Sequence, residues 1–305
     1  MSFKDSFRLW RRSLKARMPY VRRREYQALE RKYDSAVDSL GWTAPPAAEA
    51  NLHTLKPIGQ ALTGEVCFFV SFASGPRLKP HVRIHIEHLL SVGVSVVLVL
   101  NTDLTPEQFA LDAELSQRLS GAFLRENVGF DFAAWAHAYT LFDGVTDCTR
   151  LFLINDSIVG PLNAADFEHL IKRIRASPAD VLGLTESATP LSHLQSFFLV
   201  FNAVALRNPV VHDAFRRMLS LPTKAQVIDV YETRLTQVLT RQGLHCEALF
   251  ARQSDDPYTA DDTIFRWEHL IRSGFPYIKT SVLARFPDSA DLKALVTAKF
   301  LGSDT

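Results

Sequence analysis

The chain of 305 residues has few cysteines, no long apolar segment and none of the common nucleotide-binding fingerprints. Its three cysteines lie far apart without a CxxC pair, which disfavours a disulfide framework or a cysteine-rich zinc site and is typical of a reducing cytosol. No apolar run reaches the length of about 18 residues that suggests a membrane-spanning helix. The N-terminus also lacks the apolar core of a signal peptide, so we expect a cytoplasmic protein.

Motifs that bind dinucleotides, triphosphates and zinc are missing as well. No Gly-x-Gly-x-x-Gly follows the first predicted strand and no Walker A sequence occurs, which disfavours dinucleotide-binding and P-loop proteins. His81, His85 and His88 share one face of a predicted helix. Because no His-Glu-x-x-His motif is present, we expect surface histidines rather than metal ligands.

The net charge of +1 is unevenly distributed along the chain. Residues 1–24 contain nine Lys or Arg and one acid, a net charge of +8, which leaves −7 for the remainder. A basic head on an acidic body predicts an anionic partner for the head alone. The acidic body disfavours a broad nucleic-acid footprint, so no nucleic-acid partner is expected.

Residues 1–42 are predicted to form a basic amphipathic helical extension. Phe3, Phe7, Trp10 and Leu14 follow the spacing of one helical stripe between basic residues. Such a helix can lie in a membrane interface, where each basic residue near an anionic leaflet contributes about 1 kcal/mol. The stripe could equally dock on the body or on a second copy, which would give a homo-oligomer. Both interpretations stay open.

Residues 43–63 are predicted as a linker by composition, and residues 64–305 as one α/β domain. The unbroken apolar runs 66–70 and 94–100, joined by a predicted helix over 80–92, form a βαβ unit with parallel strands. Parallel strands are covered on both faces, so we expect a doubly wound, mostly parallel sheet with helices on both sides. Further strands are predicted at 121–124, 151–154, 180–185, 192–202 and 274–279, with helices at 105–119, 133–142, 166–175, 209–221, 264–272 and 288–300 and a mainly helical stretch at 224–258.

Asn155, Asp156 and Ser157 follow the buried strand 151–154, at the edge where open α/β sheets bind ligands. An unpaired buried carboxylate is costly, so Asp156 needs a partner. A divalent cation, Mg²⁺ or Mn²⁺, held by Asp156 and a nucleotide diphosphate is one interpretation. A turn cap before Gly160 is the other. Position alone does not separate them.

Other polar residues also follow predicted strands. Ser71 and Asn101 end the first two strands, where a nucleotide crevice is expected, although turn chemistry also explains them. In the stretch that follows the third strand, Arg125 is predicted to supply a cation, and Asn127 and Gly129 a close backbone approach. The alternative is an N-cap by Asp131, with Arg125 paired with Glu126 or Asp131. We favour the ligand-binding interpretation.

Three residues are candidate general bases: Glu186, His193 and Glu232. For Glu232 a solvated helix position is the favoured interpretation.

Four segments carry a resemblance to a known family. They are NVGFDFAAW (127–135), LINDSIVGP (153–161), HLQSFFLVF (193–201) and WEHLIRSGFPYIK (267–279). In this order they resemble the rhamnan synthesis protein F family of glycosyltransferases, over roughly residues 64–285. The motif positions are Asn127, Gly129, Asp131, Trp135, Asn155, Asp156, Ser157, Gly160, Pro161, Gln195, Ser196 and Lys279.

The resemblance implies a GT-A-like fold and transfer of a sugar, often L-rhamnose, from a nucleotide donor to a bacterial surface polysaccharide. The single Asp156 departs from a full Asp-x-Asp motif, which leaves metal dependence open. We expect the nucleotide across Ser71 and Asn101, the diphosphate near Asp156, and Glu186 or Glu232 as the base. The further residues predicted to bind the donor are Arg125, Asn127, Gly129, Asp131, Asn155, Ser157, Gln195 and Lys279.

These expectations describe a peripheral enzyme on the inner face of the bacterial membrane, which takes a lipid-linked glycan as acceptor. The alternative is a non-catalytic scaffold module of a polysaccharide-assembly complex.

Overall fold

The structure is a computed structural model that describes residues 44–59, 62–189, 191–253, 261–296 and 300. The predicted basic extension 1–42 lies outside the described residues. Within them, no helix is both long and apolar enough to cross a membrane.

One large sheet organises the described chain. Its strands are β1 (Leu52–Lys56), β2 (Gly64–Phe72), β3 (Ser95–Thr102), β4 (Gly121–Glu126), β5 (Cys148–Asn155), β7 (Val181–Ser187), β8 (His193–Leu194), β9 (Phe198–Asn202) and β10 (Cys246–Phe250). Their order is β1-β4-β3-β2-β5-β9-β7-β10, with β8 paired to β7. Two short strands, β6 (Ile158–Val159) and β11 (Ile278–Lys279), form a separate antiparallel pair.

The sheet is mixed but mostly parallel, as predicted. Strands β2, β3, β4, β5, β7 and β10 run in one direction, whereas β1, β8 and β9 run in the other. Strand β9 lies between β5 and β7 and is antiparallel to both. The N-terminal end of β9 is therefore at the same sheet edge as the carboxyl end of β5.

Helices cover both faces of the sheet. In chain order they are α1 (Pro80–Ser91), α2 (Ala113–Arg118), α3 (Phe130–Leu141), α4 (Ala164–Ala176), α5 (Ala203–Leu206), α6 (Pro209–Arg216), α7 (Lys224–Val227), α8 (Thr233–Arg241), α9 (Asp262–Phe265), α10 (Trp267–Arg272), α11 (Thr280–Arg285) and α12 (Ala290–Leu295). A π-helical turn, Ile228–Glu232, joins α7 to α8.

Strand β2 shows why two cores form. Its successive side chains alternate between the faces: Phe68 joins the core that includes α3 and α6, whereas Phe69 joins the core that includes α1 and α4. Both rings are fully buried, and each contributes about 1.5–3 kcal/mol through burial. The indole N–H of Trp135 in α3 donates to the Phe68 carbonyl at 3.1 Å, which fixes the helix on the sheet.

Several predicted elements differ from the structure. The predicted linker 43–63 contains a 3₁₀ turn, Ala47–Glu49, and the edge strand β1, which pairs with β4. Strand β10 lies in the stretch 224–258 that was predicted as mainly helical. Both strands are short and partly exposed, so neither has an unbroken apolar run. Helix 105–119 is reduced to α2, and strand 192–202 is interrupted between β8 and β9.

Candidate functional site

A pocket of about 560 Å³ lies at the carboxyl ends of β2, β3 and β5. This is the edge at which open α/β sheets bind ligands, and the antiparallel β9 brings Ser196 and Phe197 to the same place. We call it the strand-end pocket. Its polar lining consists of Asn101, Asn127, Asp131, Asn155, Asp156, Ser157, Ser196, Lys224, Glu232, Lys279, Thr280 and Ser281.

Asp156 is bound by protein donors on one side of its carboxylate. Its Oδ2 accepts hydrogen bonds from Ser71 Oγ at 2.7 Å and from the Phe72 backbone N–H at 3.1 Å. The Lys79 ammonium lies 2.7 Å from the same oxygen. The partner that a carboxylate at this strand end requires is thus supplied by β2 and by the residue before α1.

The described residues do not fit a divalent ion held by the protein. They contain no group of three or more His, Cys, Asp or Glu side chains arranged to bind a metal. Mg²⁺ usually takes one or two carboxylates together with substrate phosphates. At Asp156 such an ion would meet a single carboxylate whose Oδ2 already binds an ammonium group, and the two cations would repel each other.

Asn155 connects the end of β5 to the start of α3. Its Nδ2 donates to Asp131 Oδ2 at 2.6 Å. Its Oδ1 accepts from the backbone N–H and the hydroxyl of Ser157, at 3.1 and 2.6 Å. All three residues line the strand-end pocket, so the network fixes the orientation of the Asp131 and Asn155 side chains there.

Asp131 and Glu232 form the acidic wall of the pocket. Burial, and then the negative charge of Glu232, raise the pKa of Asp131 to about 6. Glu232 Oε1 accepts a hydrogen bond from the Ser196 backbone N–H at 3.0 Å. Carboxyl groups with pKa values shifted towards neutrality are a common feature of acid–base sites.

Glu232 is not the solvated helix residue that the sequence favoured. It is half-buried, lines the strand-end pocket and ends the π-helical turn Ile228–Glu232. π-Helical turns are rare and occur frequently at functional sites. The insertion of one such turn between α7 and α8 gives Glu232 an orientation that α-helical periodicity cannot predict.

Two lysines supply the positive charge of the pocket. Lys279 lies 3.4 Å from Asp261 Oδ2 and 5.1 Å from the centre of the Phe197 ring. Lys224 is exposed at the first position of α7.

Gln195, a predicted donor-binding residue, is buried outside the lining and donates to Asp261 Oδ2 at 3.0 Å. Gln195 therefore contacts Asp261, the same carboxylate that pairs with Lys279.

Arg125 does not supply the predicted ligand-binding cation. Its side chain is fully buried and lies outside the pocket lining. The guanidinium donates to the carbonyls of Ala47, Glu126 and Val128, at 3.1, 3.2 and 2.5 Å. Burial lowers its pKa to about 10, so it remains charged at neutral pH. Arg125 joins the segment before β1 to the β4–α3 turn.

The remaining predicted donor-binding residues divide between lining and support. Asn101 and Asn127 line the pocket, and Asn101 Nδ2 donates to the Phe130 carbonyl at 3.0 Å. Ser71 is buried beneath Asp156. Gly129 has φ +74°, and a Cβ atom there would lie 2.6 Å from Ser220 Cα, so its role is a backbone requirement of the turn into α3.

The structure does not bring Glu186 to the pocket. Glu186 lies on β7 and accepts a hydrogen bond from the Arg252 backbone N–H at 3.2 Å. The other candidate base, His193, is buried, and its Nδ1 lies 2.7 Å from the Leu191 carbonyl oxygen.

His85 was expected on the surface but is buried. Its Nε2 lies 2.9 Å from the Tyr277 hydroxyl, and burial lowers the pKa of His85 to about 3.

Sequence reasoning missed three charged residues at or behind the pocket: Lys79, Lys224 and Asp261. Lys79 contacts Asp156 although the two residues are 77 positions apart in the chain. Exposed lysines are common, and no local pattern marked these two. Asp261 is the N-cap of α9, a common structural role that gives no sign of its contact with Lys279.

The fold and the site define an α/β protein with a charged ligand pocket at the carboxyl ends of its central strands. A sequence model of rhamnan synthesis protein F matches residues 96–301, and the chain belongs to this family. The family resemblance of the four segments is thereby confirmed.

Two curated proteins illustrate the range of relatives. Virulence protein VirA of Vibrio anguillarum is 25% identical over 209 residues, which cover 58% of this chain and 66% of VirA. The uncharacterized protein y4gN of Sinorhizobium fredii is 29% identical over 173 residues, which cover 55% of this chain and 44% of y4gN. The matched part of the chain thus spans less than two thirds of either relative.

Proposed function

We propose that the protein is a glycosyltransferase that moves a sugar, L-rhamnose or another deoxyhexose, from a nucleotide diphosphate donor to a bacterial surface polysaccharide. The observation that carries the proposal is the strand-end pocket, which places the Asp131–Glu232 carboxyl pair and the Lys279 and Lys224 ammonium groups around one cavity. Its volume lies within the range of about 300–1,000 Å³ that is usual for small-molecule sites. The mostly parallel sheet with its site at the strand ends also agrees with a GT-A-like fold.

In this proposal the nucleoside lies at the ends of β2 and β3. The rings of Phe72 and Phe130 are 41% and 38% exposed at the pocket, where they can stack on a base. Asn101 and Asn127 supply amide groups beside them. The diphosphate then points towards Lys279 and Ser157, whose positive charge and hydroxyl group match phosphate oxygens.

The reaction is a displacement at the anomeric carbon of the donor sugar. The acceptor hydroxyl attacks this carbon, the bond to the phosphate oxygen breaks, and the nucleoside diphosphate leaves. Glu232 takes the proton of the attacking hydroxyl. Lys279 stabilises the negative charge that develops on the leaving phosphate.

Glu232→Gln tests this function. With a labelled nucleotide sugar and membranes that contain lipid-linked glycan, we expect transfer to fall about 100-fold or more, because general bases contribute about 10²–10⁴. The donor should still raise the melting temperature, since the pocket stays intact. Glu168→Gln on α4, an exposed carboxylate away from the pocket, is the matched control. Unchanged transfer by Glu232→Gln would exclude Glu232 as the base.

The donor is identified by a thermal-shift panel of dTDP, UDP, GDP and CMP sugars. A selective shift with one nucleotide supports the transferase and names its donor class. No shift at millimolar ligand favours the second candidate, a non-catalytic module of a polysaccharide-assembly complex. The lone Asp156, in place of a full Asp-x-Asp motif, is the feature that favours this second candidate.

A further inference from the structure

We propose that Lys79 takes the position of a divalent ion at Asp156 and that, together with Lys279, it makes donor binding independent of metal. The inference rests on the proposed function and deepens it, because it specifies how the same site recognises a nucleotide diphosphate. The positive charge at Asp156 would then come from the Lys79 side chain.

The geometry at Asp156 is the first observation. Three donors converge on Oδ2: a hydroxyl, a backbone N–H and an ammonium group, at 2.7, 3.1 and 2.7 Å. Lys79 immediately precedes Pro80 at the start of α1, so the helix fixes its backbone. Its side chain is 36% exposed and that of Asp156 is 19% exposed. Lys79 is not itself a lining residue, but its ammonium contacts two residues that line the pocket, Asp156 and, at 5.7 Å from the ring centre, Phe72.

The other carboxylates around the pocket are also engaged by protein donors. Asp131 accepts from Asn155 Nδ2 and from the Phe132 backbone N–H. Glu232 accepts from the Ser196 backbone N–H. Each carboxylate is therefore held in its orientation by a protein donor, and a divalent ion that gathered a second carboxylate would have to fit these fixed orientations. The described part of the chain accordingly contains no acidic or histidine cluster of metal-binding geometry.

Lys279, which lines the pocket, supplies the second cation. Strand β11 pairs with β6, so Lys279 lies opposite Ile158, two residues beyond Asp156. The Thr280 backbone N–H donates to the Ser157 carbonyl at 2.8 Å and holds this segment against the end of β5. The ion pair of Lys279 with Asp261 is long, at 3.4 Å, and its ammonium is within reach of a phosphate group in the pocket.

The first experiment compares donor binding and transfer by the full chain in EDTA and in Mg²⁺ or Mn²⁺. The probes are the nucleotide diphosphates dTDP, UDP and GDP and their sugars. We expect the thermal shift and the transfer rate to agree within about twofold between the two conditions. A loss of about tenfold or more in EDTA that Mn²⁺ restores would overturn the inference.

The second experiment uses Lys79→Ala, which frees the Asp156 carboxylate. We expect nucleotide diphosphate binding in EDTA to weaken about tenfold and Mn²⁺ to restore part of it, because the metal now occupies the vacated charge position. Lys79→Arg keeps the charge and should bind as wild type without metal. Lys172→Ala, an exposed lysine on α4, is the control for loss of a positive charge elsewhere.

The melting temperature of each variant without ligand separates binding effects from unfolding. Folded Lys79→Ala with unchanged binding and no new metal response would overturn the role of Lys79. A wild-type shift that appears only with metal would overturn the inference and leave the proposed function standing. No shift with any nucleotide under either condition would overturn the proposed function itself, and the inference with it.

Discussion

At the scale of single residues, the guanidinium of Arg125 is held by acceptors from three separate parts of the chain. It bonds to the carbonyl of Ala47, to the carbonyls of the β4–α3 turn and to the hydroxyl of Ser220. We predict that Arg125→Met lowers the free energy of unfolding by about 3 kcal/mol, because several buried acceptors lose their donor at once. Urea unfolding measures the change.

The control is Arg118→Met, at an exposed position of α2, which should change the stability by no more than about 0.5 kcal/mol. Donor binding by the folded Arg125 variant should persist. A variant of normal stability that no longer binds nucleotide diphosphates would instead identify Arg125 as a ligand residue.

The site residues show which chemistry a sequence reveals. The position of Asp156 at the pocket could be predicted, because a carboxylate directly after a buried strand lies at the sheet end where ligands bind. Lys79 could not, because its significance comes from its contact with Asp156, 77 positions further along the chain. Lys224 could not, because only the folded structure shows that it lines the pocket. Arg125 was misjudged for the same reason: its residue type indicates a cation, but only the packed structure shows that backbone carbonyls surround it.

At the scale of elements, Asp131 at the start of α3 and Glu232 at the end of the π-helical turn interact electrostatically. The pKa of Asp131 is about 6 in the folded protein, against a usual value of 3.8. The folded state therefore binds more protons than the unfolded state between about pH 4 and pH 6. The protonated carboxyl contributes stability below this window, and the contribution is lost as the pH rises through 6.

Asp131→Asn should remove this dependence. We predict that the stability of wild type relative to Asp131→Asn falls by on the order of 2 kcal/mol from pH 4 to pH 7, after allowance for partial solvent screening. Urea unfolding at several pH values measures the difference. Asp103→Asn, at an exposed position, is the control, and its free energy of unfolding should change with pH as that of wild type does. If the free energy of unfolding of Asp131→Asn also changed with pH as that of wild type does, the shifted pKa of Asp131 would be contradicted.

Buried strands could be predicted from the sequence, whereas partly exposed strands could not. Strands β2 and β3 are covered on both faces, so their sequences are unbroken apolar runs. Strand β1 lies at the sheet edge with two exposed residues, and its pairing with β4 decides its conformation. Local propensity contains no information on such a pairing, which is why this segment was predicted as a linker.

At the scale of the whole molecule, we propose that the basic residues 1–42 bind the anionic inner leaflet of the bacterial membrane, close to lipid-linked acceptors. The support is the net charge of +8 over residues 1–24 on a chain whose remainder carries −7. We predict that the full chain co-sediments with vesicles of anionic lipid and that a chain without residues 1–42 does not.

Zwitterionic vesicles serve as the control, and binding should weaken as salt screens the charges. Equal sedimentation of both chains would contradict membrane docking by this segment. If the segment pairs two copies of the chain instead, sedimentation velocity will show a dimer that disappears on its removal.

The direction of the strands is the part of the architecture that the sequence left undetermined. A strand–helix–strand pattern predicts parallel neighbours, and that held for β2 and β3. An apolar run such as β9 has no direction of its own, so its antiparallel insertion between β5 and β7 was not predictable.

The position of β9 also sets the order in which the protein can be completed as it leaves the ribosome. Strands β2 to β5 already have one another as neighbours once residue 155 has emerged. All sheet partners of β7, in contrast, come later in the chain: β8, β9 and β10. During translation β7 therefore has no strand partner until β8 and β9 have been synthesised, and its apolar residues lack their sheet neighbours in that interval.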